Sequence, residues 1–181
     1  MFKKEHSLNG LWAMFFLFLG LSTLIAAVGH GYSELSDNPV KFWSRAFAIV
    51  SVYFGGMASL SSLGEKRIRE WLKWILSIQA LAFFLWLTLD NTFLPIKLSS
   101  LFGLGLIVLG LHLYSFSRFS FKQDLWIIGG IVVNASAAIV NTYKWSFGPN
   151  FSYHDIGHVI MMVGIFIMYR GITNYKLRYA T

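Results

Sequence analysis

Hydrophobic residues follow one another in long runs along this chain and do not alternate with polar residues. Uncharged runs of about 20 residues are long enough to cross the roughly 30 Å hydrocarbon core of a bilayer as helices. The sequence therefore predicts an all-α fold, a polytopic membrane helix bundle of six transmembrane helices that forms a single domain over residues 1–181. The predicted spans are Leu11–Gly29, Phe42–Leu63, Trp71–Leu89, Leu98–Phe116, Leu125–Tyr143 and Asp155–Ile172.

The overall composition agrees with a membrane protein and argues against a soluble one. Hydrophobic residues make up 56% of the chain and charged residues 13%, whereas soluble domains carry about 25% charged residues. The first apolar run follows Phe2-Lys3-Lys4, as a signal peptide would, but it ends at Val28-Gly29-His30 without a small-x-small cleavage site. We therefore interpret this run as a retained span.

Lysine and arginine are distributed unequally between the two sides of the predicted bundle. Eleven of the fifteen fall on one side, at Lys3, Lys4, Lys66, Arg67, Arg69, Lys73, Arg118, Lys122, Arg170, Lys176 and Arg178. The other side has Lys41, Arg45, Lys97 and Lys144. Because positive residues collect in cytoplasmic connections, we expect a multi-pass protein of the plasma (inner) membrane with both termini in the cytoplasm. The same bias explains the net charge of +7 without nucleic acid as a partner.

Three of the five histidines fall at the outer membrane face in this topology. His30 ends the first span, and His154 and His158 open the sixth. Histidines four residues apart share one face of a helix, so both imidazoles can point at one ion. Three histidine ligands and one open position make a catalytic zinc site, where the metal makes a water molecule acidic enough to act as a nucleophile. Because the chain has no cysteine, thiolate ligands are excluded. The sequence therefore predicts Zn²⁺ on the three histidines, His30, His154 and His158.

Two aspartates at the same face are candidates for the acid–base chemistry of such a site. Asp155 lies between the two late histidines, and Asp90 ends the third span. Either carboxylate can orient a ligand imidazole or take a proton from a water molecule. Two structural alternatives stay open: Asp155 is also favoured near a helix N-terminus by the macrodipole, and Asp90 with Asn91 also suits the start of a solvated loop.

Three further polar residues within the spans have structural interpretations. His112 lies near the inner end of the fourth span, where we expect it to serve bundle packing. Asn134 and Asn141 lie seven residues apart on one face of the fifth span. Their expected role is interhelical hydrogen bonding.

The last predicted span carries a motif that resembles a known superfamily. His154-x-x-x-His158-Val159, followed by Gly164, resembles the last-helix motif of alkaline ceramidases and is similar to that of the progestin and adipoQ receptors. The resemblance implies a membrane zinc hydrolase acting on lipid amides, with a third histidine ligand at the end of an early helix, where His30 stands. This chain departs from the superfamily at Ala26, where a serine is usual, and its second predicted span contains no acid.

A second resemblance concerns the end of the chain. Asn150–Gly171 looks like the end of an uncharacterised family of short bacterial membrane proteins, whose early span also ends in a pair like His30-Gly31. The two departures from the zinc hydrolases, at Ala26 and in the second predicted span, do not affect a metal ligand. The resemblance therefore implies zinc binding more strongly than catalysis.

The function predicted from these features is zinc-dependent hydrolysis of an amide or ester bond in a membrane lipid. Two alternatives remain. The first is a b-type haem protein, in which His30 and either His154 or His158 clasp the iron from two helices. The second is a non-catalytic receptor-like protein or a small transporter.

Overall fold

The computed structural model of the chain describes residues 2–31, 39–60, 63, 65–148 and 151–174, apart from the side chains of residues 2–9, 29–31, 154 and 174. In these ranges the chain is all-α, as predicted, and forms six helices. Their bounds are Phe2–Gly31 (α1), Pro39–Ser59 (α2), Lys66–Leu89 (α3), Leu94–Phe119 (α4), Lys122–Tyr143 (α5) and Tyr153–Asn174 (α6).

Five of these helices are long and apolar enough to cross a membrane, which identifies an integral multi-pass membrane protein. The five candidate spans are Gly10–Val28, Lys66–Leu89, Leu94–Phe119, Lys122–Tyr143 and Asp155–Thr173. Each overlaps a span predicted from the sequence. The remaining helix, α2, corresponds to the predicted span Phe42–Leu63 but is not among the five.

The helices group into two compact units, Met1–Leu111 and His112–Thr181. In the first unit α2 packs against α1, α3 and the first part of α4. The Ser44 hydroxyl of α2 donates to the carbonyl oxygen of Ser22 in α1 at 2.9 Å, and both residues are buried. The buried residues of α2 are mostly small: Ser44, Ala46, Ile49, Ser51, Val52, Gly55, Gly56, Ala58 and Ser59. Small residues on this face let the neighbouring helices approach α2 closely.

The fourth helix changes its winding midway. A π-helical segment, Leu101–Val108, lies between the α-helical segments Leu94–Ser100 and Leu109–Phe119. Just before it, Nε2 of Gln79 in α3 donates to the carbonyl oxygen of Ser99 at 3.1 Å. Within it, a Cβ added at Gly103 would lie 2.1 Å from Cγ1 of Val52 in α2. The π-helical segment therefore approaches α2 at a distance that only glycine permits.

In the second unit α5 and α6 pack closely as an antiparallel pair. Three glycines of α6 recur at intervals of seven residues, and each meets a residue of α5 that also recurs at intervals of seven. The pairs are Gly157 with Asn141 and Gly164 with Asn134, whereas Gly171 lies nearest to Trp126 and also contacts Ile127. A Cβ at Gly157 would lie 2.6 Å from Nδ2 of Asn141, and one at Gly164 would lie 2.5 Å from Oδ1 of Asn134. Small residues at regular spacing let two helix backbones approach closely in lipid.

Candidate functional site

The predicted zinc ligands occupy the helix ends where the sequence places them. His30 is the penultimate residue of α1, and His154 and His158 lie in the first two turns of α6. The side chains of His30 and His154 are outside the described part of the chain, so the three-histidine site stays a prediction. Among the described residues no three His, Cys, Asp or Glu side chains form a group that could hold a metal. The described side chain of His158 is exposed.

Asp155 caps the helix that carries the two late histidines. Its Oδ2 accepts hydrogen bonds from the backbone N–H of Ser152 at 2.8 Å and from the Ser152 hydroxyl at 2.7 Å. The Ser152 hydroxyl lies 3.5 Å from the backbone nitrogen of Asp155. This reciprocal arrangement is a capping box, which satisfies the free N–H groups at a helix start. The structural alternative for Asp155 is therefore present, and its proposed catalytic role stays a prediction.

Hydrogen bonds and a ring contact join Ser146 and Phe147, before the start of α6, to Phe151 and Tyr153. The backbone N–H of Phe147 donates to the carbonyl oxygen of Phe151 at 3.2 Å, and the two rings stack at 6.3 Å between centroids. The Ser146 hydroxyl accepts the backbone N–H of Tyr153, the first residue of α6, at 3.1 Å. Together with the capping box, these contacts fix the direction in which the first turns of α6 leave the connection.

Asp90 ends α3 and belongs to a hydrogen-bonded connection to α4. Its Oδ2 accepts the Thr92 hydroxyl at 3.0 Å, and its backbone N–H donates to Trp86 at 2.8 Å. The guanidinium of Arg45, from α2, donates to Oδ1 of Asn91 at 2.7 Å and also to the Asn91 carbonyl. This role of Arg45 was not predicted from the sequence, because the contact depends on how α2 and α3 are aligned. The acid–base role predicted for Asp90 stays a prediction.

A buried ionisable pair in the second unit was not predicted. Nδ1 of His112, in α4, lies 2.8 Å from Oδ1 of Asp124, in the first turn of α5. Both side chains are buried, at 2% and 0% exposure. We expected His112 to serve helix packing, and the structure adds a buried carboxylate partner. Ionisable residues at membrane depth are costly to bury and normally pair with one another.

The two asparagines of α5 behave differently from each other. Nδ2 of Asn134 contacts Sδ of Met168 in α6 at 3.9 Å, which is a weak interhelical hydrogen bond. Nδ2 of Asn141 donates to the carbonyl oxygen of Ala137 at 2.8 Å, within its own helix. The interhelical bonding predicted for both is therefore present at Asn134. At Asn141 the hydrogen bond is instead within α5, and the amide packs against Gly157 of α6.

Comparison with known proteins places the chain in one family. No curated protein and no solved structure matches it. A family model described as "Family of unknown function (DUF6962)" matches residues 1–176, which is nearly all of the 181 residues. The chain therefore belongs to DUF6962, a family of unknown function.

Proposed function

We propose that this chain is a zinc-dependent membrane hydrolase that cleaves an amide or ester bond of a membrane lipid. The observation that carries the proposal is the position of His154 and His158, one helical turn apart at the capped start of α6. Residues four apart on a helix present their side chains to the same side. The third ligand, His30, comes from the sequence prediction, and it stands in the last turn of α1.

The proposed donor set suits zinc by its chemistry. Three imidazoles leave one coordination position open, and zinc bound in this way acidifies water and polarises a carbonyl group. His30, His154 and His158 would hold the ion. Asp155 or Asp90 would move a proton to the leaving group; Oδ2 of Asp155 accepts two hydrogen bonds from Ser152, and Oδ2 of Asp90 accepts one from Thr92.

The proposal includes six spans with both termini in the cytoplasm, so α2 must cross the membrane as well. Its 21 residues extend about 31 Å at 1.5 Å per residue, which matches the hydrocarbon core. Lys66, Arg67 and Arg69 open α3. If α2 did not cross, these three cations would lie on the outer side, against the positive-inside rule.

Metal analysis of the purified protein tests the proposal. We expect about one zinc per wild-type chain and less than a tenth of that in the His154→Ala/His158→Ala double variant. His6→Ala is the control, since it removes a histidine from the N-terminal part of α1 and should leave zinc unchanged. Equal zinc in the double variant and the control would overturn the metal site. A Soret absorption band in the wild type would identify haem instead.

Hydrolysis is tested separately from metal binding. Purified wild type in phosphatidylcholine vesicles that contain ceramide should release fatty acid, and the double variant should not. Zinc at one per chain with no release of fatty acid from ceramide or phospholipid would leave a structural metal and would overturn the enzymatic part of the proposal.

A further inference from the structure

We propose that the first unit binds one anionic phospholipid, with an acyl chain in a groove between α3 and α4 and the phosphate at Arg69. This site is independent of the proposed zinc chemistry, because it uses none of the histidines. The groove has a volume of about 520 Å³. Small-molecule sites commonly occupy about 300–1,000 Å³. Its lining includes Leu72, Ile75 and Gln79 of α3 and Phe102, Leu106 and Gly110 of α4.

The groove is apolar and opens sideways. Ile75 and Leu106 at its rim are 50% and 65% exposed, and both belong to candidate membrane spans. Its floor includes Leu111, which is part of a buried cluster with Leu60 and Leu76. An apolar groove that faces the bilayer accepts a hydrocarbon chain without burying any charge.

At the Gln79 end of the groove a polar contact joins α3 to α4. Nε2 of Gln79 holds the carbonyl oxygen of Ser99 at 3.1 Å, which draws α3 and α4 together at this level. From Gln79 the groove runs back to Leu72, seven residues towards the start of α3. This distance is about 10 Å at 1.5 Å per residue. An acyl chain inserted there points its headgroup towards the beginning of α3.

The beginning of α3, which precedes the Leu72 end of the groove along the helix, carries positive charge. Lys66, Arg67, Arg69 and Lys73 face only two acids, Glu65 and Glu70. Nζ of Lys73 is paired with Oε1 of Glu70 at 2.8 Å. In the described part of the chain Arg69 has no ion pair within 4.0 Å, and it lies three residues before Leu72, on the same side of the helix. Basic residues at the ends of membrane helices attract anionic lipid headgroups.

Arg67 offers a matched comparison for Arg69. It lies on another side of α3, where it lines a separate surface with Trp71 and Trp74. Both tryptophans are well exposed, as is usual for aromatic anchors at the membrane surface. Loss of either arginine removes one positive charge from the same end of α3, but Arg69 stands one turn before Leu72 of the groove, whereas Arg67 lines the separate surface.

Native mass spectrometry of the purified full chain in detergent tests the site. Phosphatidylglycerol and phosphatidylcholine with identical acyl chains are the probes. We expect one phosphatidylglycerol to bind at least fivefold more tightly than phosphatidylcholine. Arg69→Gln should reduce that preference about fivefold, the usual effect of one cation near the headgroup, and Arg67→Gln should leave it unchanged. An equal effect of the two variants would overturn the headgroup position.

Variants that fill the groove test the proposed position of the acyl chain. A Cβ at Gly110 meets nothing within 4 Å, so Gly110→Leu should fold and lower the affinity for both lipids at least fivefold. Gly20→Leu is the control, since Gly20 in α1 is equally open. If Gly110→Leu unfolds, Ile75→Trp narrows the same groove from α3. Unchanged affinity in a folded groove variant would overturn the proposal, and loss of a dimer in place of lipid would show that a second copy of the chain occupies the groove.

Discussion

Nδ1 of His112 and Oδ1 of Asp124 are 2.8 Å apart, and the pair links the end of α4 to the first turn of α5. The connection between them turns at Ser120, whose φ of 54° is in the left-handed region. A buried carboxylate and imidazole depend on each other, since removal of one leaves the other buried without its partner. The pair therefore contributes to the geometry of the α4–α5 hairpin.

The first prediction concerns this pair. Asp124→Ala should lower the free energy of unfolding by about 3–5 kcal/mol, because it removes the buried carboxylate that contacts the His112 imidazole. His112→Leu/Asp124→Leu should lose less than Asp124→Ala, since both members of the pair are then replaced together. Denaturant unfolding in detergent micelles measures both values. Strictly additive losses from the two single leucine variants would contradict a direct interaction.

The glycines of α6 give a second prediction. Gly164→Ala should lower the free energy of unfolding by about 1–3 kcal/mol, because its methyl group would overlap the Asn134 amide in a packed interface. Gly129→Ala is the matched control in the same helix pair, with its nearest contact at 3.9 Å. We expect it to be neutral or to stabilise by up to about 1 kcal/mol, as alanine does in a helix. Thermal unfolding of the two variants should rank them in that order.

The π-helical segment gives a third prediction. Gly103→Ala should lower the unfolding temperature, because the new methyl group would lie 2.1 Å from Cγ1 of Val52. Removing that methyl with Val52→Ala should recover part of the loss, although Val52→Ala alone leaves a cavity and is itself destabilising. The measured quantity is the coupling in a double-mutant cycle. A coupling near zero would mean that the two residues are not in contact.

The capping box at α6 gives a fourth prediction. Asp155→Ala and Ser152→Ala should each cost about 1 kcal/mol of stability, which is the usual value of an N-terminal cap. If Asp155 acts only as a cap, both variants should keep the zinc content of the wild type. Metal analysis beside thermal unfolding distinguishes the roles. Zinc lost from Asp155→Ala but retained in Ser152→Ala would place the carboxylate in the metal site.

The topology gives a fifth prediction, and the absence of cysteine from the chain makes it simple to test. Ser36→Cys and Ser62→Cys introduce single thiols before and after α2. In intact cells a membrane-impermeant thiol reagent should label the first variant and not the second, because a crossing α2 puts them on opposite sides. Labelling of both from outside would mean that α2 stays on one side of the membrane.

The helices could be predicted from the sequence wherever lipid sets the composition. Apolar runs located α3, α4, α5 and α6, since the residues that face hydrocarbon must be apolar. Their ends were less predictable. The run beginning at Leu11 belongs to a helix that starts at Phe2, because polar residues continue a helix beyond the hydrocarbon core and hydropathy does not register them.

The polar contacts were predictable only where they are local. Ser152-Tyr153-His154-Asp155 has the spacing of a capping box, so a helix start at this point could be predicted from the sequence. The pairing of His112 with Asp124 was not, because it joins two helices through a turn whose backbone conformation decides their alignment. Arg45 and Asn91 are 46 residues apart, and no periodic pattern connects them.

The small and polar residues on the buried face of α2 have a consequence for how the protein enters the membrane. A helix whose serines and glycines face α1, α3 and α4 gains little from entering lipid alone when it leaves the ribosome. If α2 crosses the membrane, as we propose, its integration should depend on a neighbouring helix, with α1 and α2 entering the bilayer as a hairpin and α3 completing the enclosure. The order of synthesis along the chain supplies those neighbours on both sides of α2.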